Sequence, residues 1–250
     1  MNSSNKKIII TGGSKGIGNH ILKFFLKLNY KVLCLSRTKP KLKNKKLFFL
    51  KIDLSKKNQI LKNKKRINNF DPDILINNVA NIGTIGNFDK VNIQNWEKSF
   101  FLNFFAATYL TNIVLKRIIA NNGYIFFMAG GGAANSFPGF SSYSIAKTAL
   151  VRFVENLADE NKGKLKTFIL SPGPVNTRLF KDAKKGGHNI SKKRFVSPKM
   201  TTNLINFILN NDTEFLSGRY IHVKDDYLSI NAKNIKNFFL LRRVEKRRKF

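Results

Sequence analysis

The sequence predicts an α/β fold, a single doubly wound domain around a parallel sheet of about seven strands. Three observations predict it. Short apolar runs alternate with helix-length segments along the chain. Those runs are apolar at consecutive positions, as strands buried on both faces must be. The first run breaks into a glycine cluster that leads straight into a helical pattern. At 250 residues the chain has the size of one domain, and it carries no internal repeat or low-complexity linker that would divide it.

The elements follow in order. Lys7 to Thr11 is an apolar strand. Gly16 to Leu28 is a helix with Ile17, Ile21, Phe24, Phe25 and Leu28 on one side. Lys31 to Ser36 and Leu47 to Ile52 are strands, and Ser55 to Ile67 reads as a polar helix. Asp73 to Asn77 is a fourth strand, followed by Asn95 to Ala120, which has helical length and is apolar nearly all round. Tyr124 to Met128, Lys166 to Leu170 and Tyr220 to Val223 complete the strands. Ser141 to Asn161 and Pro198 to Leu209 complete the helices. The stretch from 178 to 200 has no periodicity that assigns an element. Residues 1–230 are expected to form the domain. Residues 231–250 are expected to be a basic C-terminal extension, in which Phe238-Phe239-Leu240-Leu241 precedes Arg242, Arg243 and the run to Phe250; docking on the body is preferred over lying on an acidic surface.

Composition narrows the function classes. Hydrophobic residues at 42% and charged residues at 24% exclude wholesale disorder. The single cysteine, Cys34, excludes an internal disulfide framework and a Cys-rich zinc site, and its leucine neighbours suit a small buried hydrophobe. Ile8-Ile9-Ile10 is too short for a secretory core, and the uncharged stretches Ser99 to Leu115 and Tyr124 to Ala146 are too polar or too broken to span a membrane. A cytoplasmic protein without a membrane span is expected. Lys and Arg number 46 against 14 Asp and Glu, a net +32 that attracts polyanions. Lys, Asn, Ile and Phe are all abundant, as AT-rich codons would produce, and aromatics are not interleaved with the basic clusters as a single-strand stacking platform requires. Compositional drift is therefore preferred over nucleic-acid binding.

The chemistry-bearing residues begin at the first strand's end, Thr11-Gly12-Gly13-Ser14-Lys15-Gly16-Ile17-Gly18. Glycines there let the backbone turn sharply and approach a pyrophosphate, and the helix beyond offers its N-terminal N–H groups to the anion. After the second strand comes Ser36-Arg37, with no acid before Asp53. Asp53-Leu54 ends the third strand, Asn77-Asn78-Val79-Ala80 the fourth, and Asn103 lies in the long helix. Tyr143-Ser144-Ile145-Ala146-Lys147 opens the next helix, and Ser171-Pro172-Gly173-Pro174-Val175-Asn176-Thr177 follows the sixth strand. Six tyrosines in a lysine-rich chain make a chance Tyr-x-x-x-Lys match expected, and Tyr220 with Lys224 is a second one. That second pair falls in a strand, where four residues span about 13 Å. Tyr143 and Lys147 stand one helical turn apart on one face and can act together.

Taken in order, these residues resemble the short-chain dehydrogenase/reductase family, a Rossmann-type fold, across about residues 6 to 226. The resemblance implies an NADP(H)-dependent oxidoreductase interconverting a small-molecule carbonyl and alcohol by hydride transfer. It implies Tyr143 as acid/base, Lys147 as its electrostatic partner and a holder of the cofactor ribose, and Asn103 as holder of a water behind Lys147. The implied cofactor contacts are Gly12, Ser14, Lys15, Gly16, Ile17, Gly18, Arg37, Asp53, Leu54, Asn77, Asn78, Ala80, Tyr143, Lys147, Pro172, Gly173, Val175 and Thr177. Lys15 and Arg37, with no acid at the second strand's end, point to the 2′-phosphate of NADP rather than to NAD. No metal is expected. The family's serine, 13 residues before the tyrosine, is Gly130 here. Ser136, Ser141, Ser142 or the glycine-run amides are candidates to replace it. Without replacement, the alternative is a cofactor-binding scaffold or sensor with little turnover. The crowd of Arg178, Lys181, Lys184, Lys185, His188, Lys192, Lys193 and Arg194 predicts an anionic substrate, sugar-derived or acyl. Phe100, Phe101, Phe104, Phe105 and Tyr109 cover more than one helix face and predict a homodimer or homotetramer.

Overall fold

The computed structural model describes residues 6–187, 195–231, 233, 235 and 241. Seven strands form one all-parallel sheet, β1 (Lys7–Thr11), β2 (Lys31–Ser36), β3 (Leu47–Lys51), β4 (Ile74–Asn77), β5 (Tyr124–Met128), β6 (Lys166–Ser171) and β7 (Tyr220–His222). Their order across the sheet is β3-β2-β1-β4-β5-β6-β7. Ile9 pairs with Leu33 on one side and Leu75 on the other, so the centre of the sheet is apolar on every strand. Side chains alternate between two cores. Ile9, Leu75, Ile125 and Ile169 pack under α2 (Lys57–Lys62), α3 (Lys64–Asn68), α5 (Ala106–Ala120) and α6 (Ser141–Glu160). Ile8, Ile10, Ile76 and Leu170 pack under α1 (Gly16–Lys27) and α8 (Pro198–Asn210). The order reverses between β1 and β4, and a crevice opens there beyond the strands' carboxyl ends.

Three departures from the sequence reading have local causes. The helix expected over Ser55 to Ile67 is two short ones, α2 and α3. Asn63 between them adopts φ −98° and ψ 4°, and its side-chain amide donates to the Gln59 carbonyl at 2.9 Å. The long helix begins earlier, at α4 (Ile93–Phe100), because the Asn92 side chain caps it by accepting from Asn95 N–H at 3.0 Å. It then widens into a π turn over Phe101–Phe105 before α5. The Asn103 amide donates to the Ser99 carbonyl at 3.0 Å, the acceptor that an α-helical bond from residue 103 would use.

The third departure is α7 (Arg178–Lys185), in a stretch without periodicity. Thr177 caps it, and Leu179 and Ala183 face an apolar cluster while Arg178, Lys181, Lys184 and Lys185 face solvent. His188, Lys192, Lys193 and Arg194, the rest of that basic stretch, lie outside the described residues. So does most of 231–250, including Phe238, Arg242 and Phe250. Leu241 is described: its N–H donates to Glu155 Oε1 at 2.7 Å, and its carbonyl accepts from Arg152. Cys34 is buried, and burial pushes its thiol up, so it behaves as the expected inert hydrophobe.

Candidate active site

The glycine turn is pinned to β4. Thr11 Oγ1 accepts from the backbone N–H of Asn78 at 2.8 Å and of Val79 at 2.9 Å, and the Asn78 side chain donates to the Thr11 carbonyl at 2.9 Å. Gly12 has φ +69°, open to glycine at little cost. A Cβ on Gly18 would lie 2.5 Å from the Gly12 carbonyl oxygen, so only glycine lets α1 start this close to the turn. No side chain caps α1 and no acid lies in its first turn. Its N-terminal N–H groups therefore stay available to an anion. They open into a cleft of about 190 Å³ lined by Gly12, Lys15, Gly16, Asn78, Ala80 and Thr177 among others. This cradle, with glycine at 12, 16 and 18, fits the pyrophosphate and adjoining ribose of a dinucleotide.

Other expected cofactor residues lie outside the lining of this cleft. Arg37 is exposed at the end of β2. Asp53 takes hydrogen bonds from Ser55 N–H at 3.0 Å and Ser55 Oγ at 2.7 Å. Burial pushes its carboxyl up, and the Ser55 bonds with Arg37 and Lys56 outweigh this and hold it low. Leu54 is a core residue, and Asn77 is buried with its amide donating to Thr111 at 3.4 Å, behind the cleft rather than in it. Asn103 is 1% exposed in the π turn. Its amide donates to the Asn81 carbonyl at 3.0 Å as well as to Ser99, and its Oδ1 accepts from Asn81 N–H at 3.2 Å, so it anchors the loop after β4.

Tyr143 and Lys147 share one face of α6, with the Lys147 ammonium 5.8 Å from the Tyr143 ring centre. Lys147 is 2% exposed and donates to the Met128 carbonyl at 2.8 Å, at the end of β5. Burial brings its pKa down to about 8. Burial, with Tyr220 nearby, pushes the Tyr143 hydroxyl well above its ordinary value. Burial thus favours the protonated hydroxyl, the form that can donate to a carbonyl oxygen.

The Tyr143 hydroxyl opens on a cavity of about 170 Å³. Ile17, Ile82, Phe137, Val175, Leu179 and Phe180 give it apolar walls, and Ala129, Gly130, Gly131 and the Pro172–Gly173 turn border it. Thr177 also lines it, at the junction with the dinucleotide cleft. None of the suggested serines takes the place left open by Gly130. Ser142 is fully buried against Ser99, Ser141 Oγ accepts from Trp96 Nε1 at 2.9 Å, and Ser136 lines a separate groove. No cluster of metal-ligating side chains occurs among the described residues, and none of their helices is long and apolar enough to cross a membrane.

A parallel sheet with this order, a glycine cradle at its reversal point and a tyrosine–lysine pair at the crevice wall define a nicotinamide-dependent oxidoreductase of the short-chain type. The chain belongs to the short chain dehydrogenase family, whose pattern it matches over residues 6–187. It is 26% identical to a benzil reductase ((S)-benzoin forming) of Bacillus subtilis over 239 residues, covering 87% of this chain and 98% of that one. It superposes on the ligand-free aldohexose dehydrogenase of Thermoplasma acidophilum with TM-score 0.79 at 21% identity, covering 89% and 93% of the two chains. It superposes on a 4-hydroxyisoleucine dehydrogenase complexed with NADH with TM-score 0.73 at 26% identity, covering 87% and 96%.

Proposed function

We propose that this enzyme is an NADP(H)-dependent reductase of neutral, apolar carbonyl compounds. The observation that carries the reading is Tyr143, buried on α6 and lining an apolar cavity beside the dinucleotide cleft. When bound, the nicotinamide supplies the hydride. Lys15 and Arg37, exposed around the cleft and the end of β2, suit a 2′-phosphate, and β2 ends without an acid that would favour NAD. The Pro172–Thr177 turn and Ile17, which line the cavity, would hold the reacting end of the cofactor there. The apolar walls exclude water and orient the substrate carbonyl, and Tyr143 gives its proton to the carbonyl oxygen. Lys147 then carries the compensating charge near the Met128 carbonyl.

The benzil reductase likeness supports an aromatic or aliphatic ketone over the anionic, sugar-derived or acyl substrate that the charge pattern suggests, because the described basic side chains of α7 face solvent. The test is NADPH consumption with a panel of neutral and anionic carbonyls at low and high salt. Neutral apolar ketones are expected to turn over fastest and without salt dependence, whereas an advantage for anionic substrates at low salt would overturn the substrate reading.

Gly130 favours a second reading, a cofactor-binding scaffold or sensor, because none of Ser136, Ser141 and Ser142 replaces the missing hydroxyl. NADPH binding without turnover of any panel member would select it. A homodimer or homotetramer is part of the proposal. Trp96 stacks on Phe100 at 5.4 Å, and Ile93 and Phe105 on this helix, with Phe88 before it and Ile145 on α6, are apolar and exposed, a surface that a second copy would cover. A cytoplasmic location and a C-terminal extension over 231–250 belong to the same reading.

A further inference from the structure

Gly130 is more than a missing hydroxyl. A Cβ built on it overlaps the Tyr143 hydroxyl oxygen outright and would stand 2.8 Å from Cζ and 3.1 Å from Cε1. The tyrosine tip therefore occupies the volume that any side chain at position 130 would need. Tyr143 is 4% exposed, with Ile82, Phe140 and Ala183 packed around it, so a side chain at 130 would have to push the tyrosine tip away toward the adjoining cavity. The neighbouring Gly131 differs: a Cβ there would meet nothing within 4 Å. Neither glycine has the positive φ that would by itself exclude a side chain. The restriction at 130 is thus one of space, imposed by Tyr143.

We propose that glycine at 130 is a positioning residue: it admits the Tyr143 hydroxyl to the site a serine would fill, so that Tyr143 alone among the side chains both holds and protonates the substrate carbonyl. A side chain at 130 and the working position of Tyr143 exclude each other. Restoring the serine of the family pattern is then inhibitory rather than corrective. This inference rests on the reductase reading for its catalytic part and on packing alone for its steric part.

The experiment compares wild type with Gly130→Ser, Gly130→Ala, Gly131→Ala, Tyr143→Phe and the Gly130→Ala/Tyr143→Phe double variant. Thermal unfolding, the Kd for NADPH, and kcat and KM for the best carbonyl of the panel are measured. Gly130→Ala and Gly130→Ser are expected to lower Tm by at least about 3 °C, the scale of overpacking a buried site. Gly131→Ala leaves Tm unchanged. With the hydroxyl removed, the Tm loss from Gly130→Ala is at least halved. Gly130→Ser lowers kcat about 100-fold, the effect of displacing a reacting group by about an ångström, while KM and the NADPH Kd stay within about threefold. A Gly130→Ser enzyme as fast as wild type or faster overturns the proposal, as does a Gly130→Ala loss in Tm that Tyr143→Phe does not reduce. If wild type turns over no carbonyl, the reductase reading falls, and the Tm coupling between 130 and 143 still decides the steric claim.

Discussion

Thr11→Val tests how the cofactor cradle is held. Valine matches the shape of threonine but removes a hydroxyl that is fully buried. Two backbone donors then lose their acceptor, Asn78 N–H at 2.8 Å and Val79 N–H at 2.9 Å. Each unsatisfied buried donor costs about 1–3 kcal/mol. Both residues are half-buried, so water recovers part of the loss, and the sum comes to about 2–4 kcal/mol. For a chain of this size that lowers Tm by roughly 4–12 °C. The Asn78 side-chain bond to the Thr11 carbonyl survives, so the fold persists while the turn loosens and NADPH affinity falls. Thermal unfolding and cofactor titration read both effects, and Thr11→Ser, which keeps the oxygen, restores most of each. A Thr11→Val protein within about 1 kcal/mol of wild type would refute the claim that this hydroxyl ties the glycine turn to β4.

Further outcomes follow from the site. Lys147, at about 8, loses its proton as pH rises through that value, so kcat/KM is expected to fall above about pH 8, and Lys147→Arg to move the fall to higher pH. Because its folded pKa lies below the ordinary lysine value, the unfolded chain binds more protons between the two, and Lys147 adds stability as pH rises across that window. Lys147→Met should flatten that rise in urea unfolding curves collected from pH 7 upward. Arg37→Asp should cut the preference for NADP over NAD by roughly ten- to a hundredfold, the worth of one charge-assisted hydrogen bond, and equal wild-type affinities for the two cofactors would remove the basis for the assignment. Phe105→Asp should shift the assembly toward monomer in light scattering, and a wild-type monomer at micromolar concentration would contradict the oligomer.

Much of this was legible in the sequence because it is local. Consecutive apolar residues such as Ile8-Ile9-Ile10 declare a strand buried on both faces, and that pattern repeats for β2, β4, β5 and β6. The Tyr143–Lys147 spacing needs only a helix to become a shared face, and α6 supplies it. What was hidden depends on partners distant in the chain. The π turn at Phe101–Phe105 comes from an Asn103 side chain recruited by Asn81, and nothing in the helix pattern records that pull. The eight residues of α7 carry too few apolar positions for a periodicity, and Leu179 and Ala183 are drawn inward by Ile82 and Phe140. The contact between Gly130 and Tyr143 joins the end of β5 to the start of α6, so residue 130 reads as a loss in the sequence and as a fit in the structure. The direction of the Tyr143 shift was likewise hidden, because burial is a property of the assembled core.

The central claim is that Tyr143 delivers the proton to a carbonyl held in the apolar cavity. The most direct measurement is the turnover of Tyr143→Phe, beside Tyr220→Phe, under saturating NADPH with the best neutral ketone. Loss of a positioned general acid costs about 10²–10⁴ in rate. Tyr143→Phe is predicted to lose that much with its NADPH Kd unchanged, while Tyr220→Phe, in β7 rather than beside Lys147 on α6, stays within about tenfold of wild type. A Tyr143→Phe enzyme that keeps turning over, or equal losses in the two variants, would contradict the account.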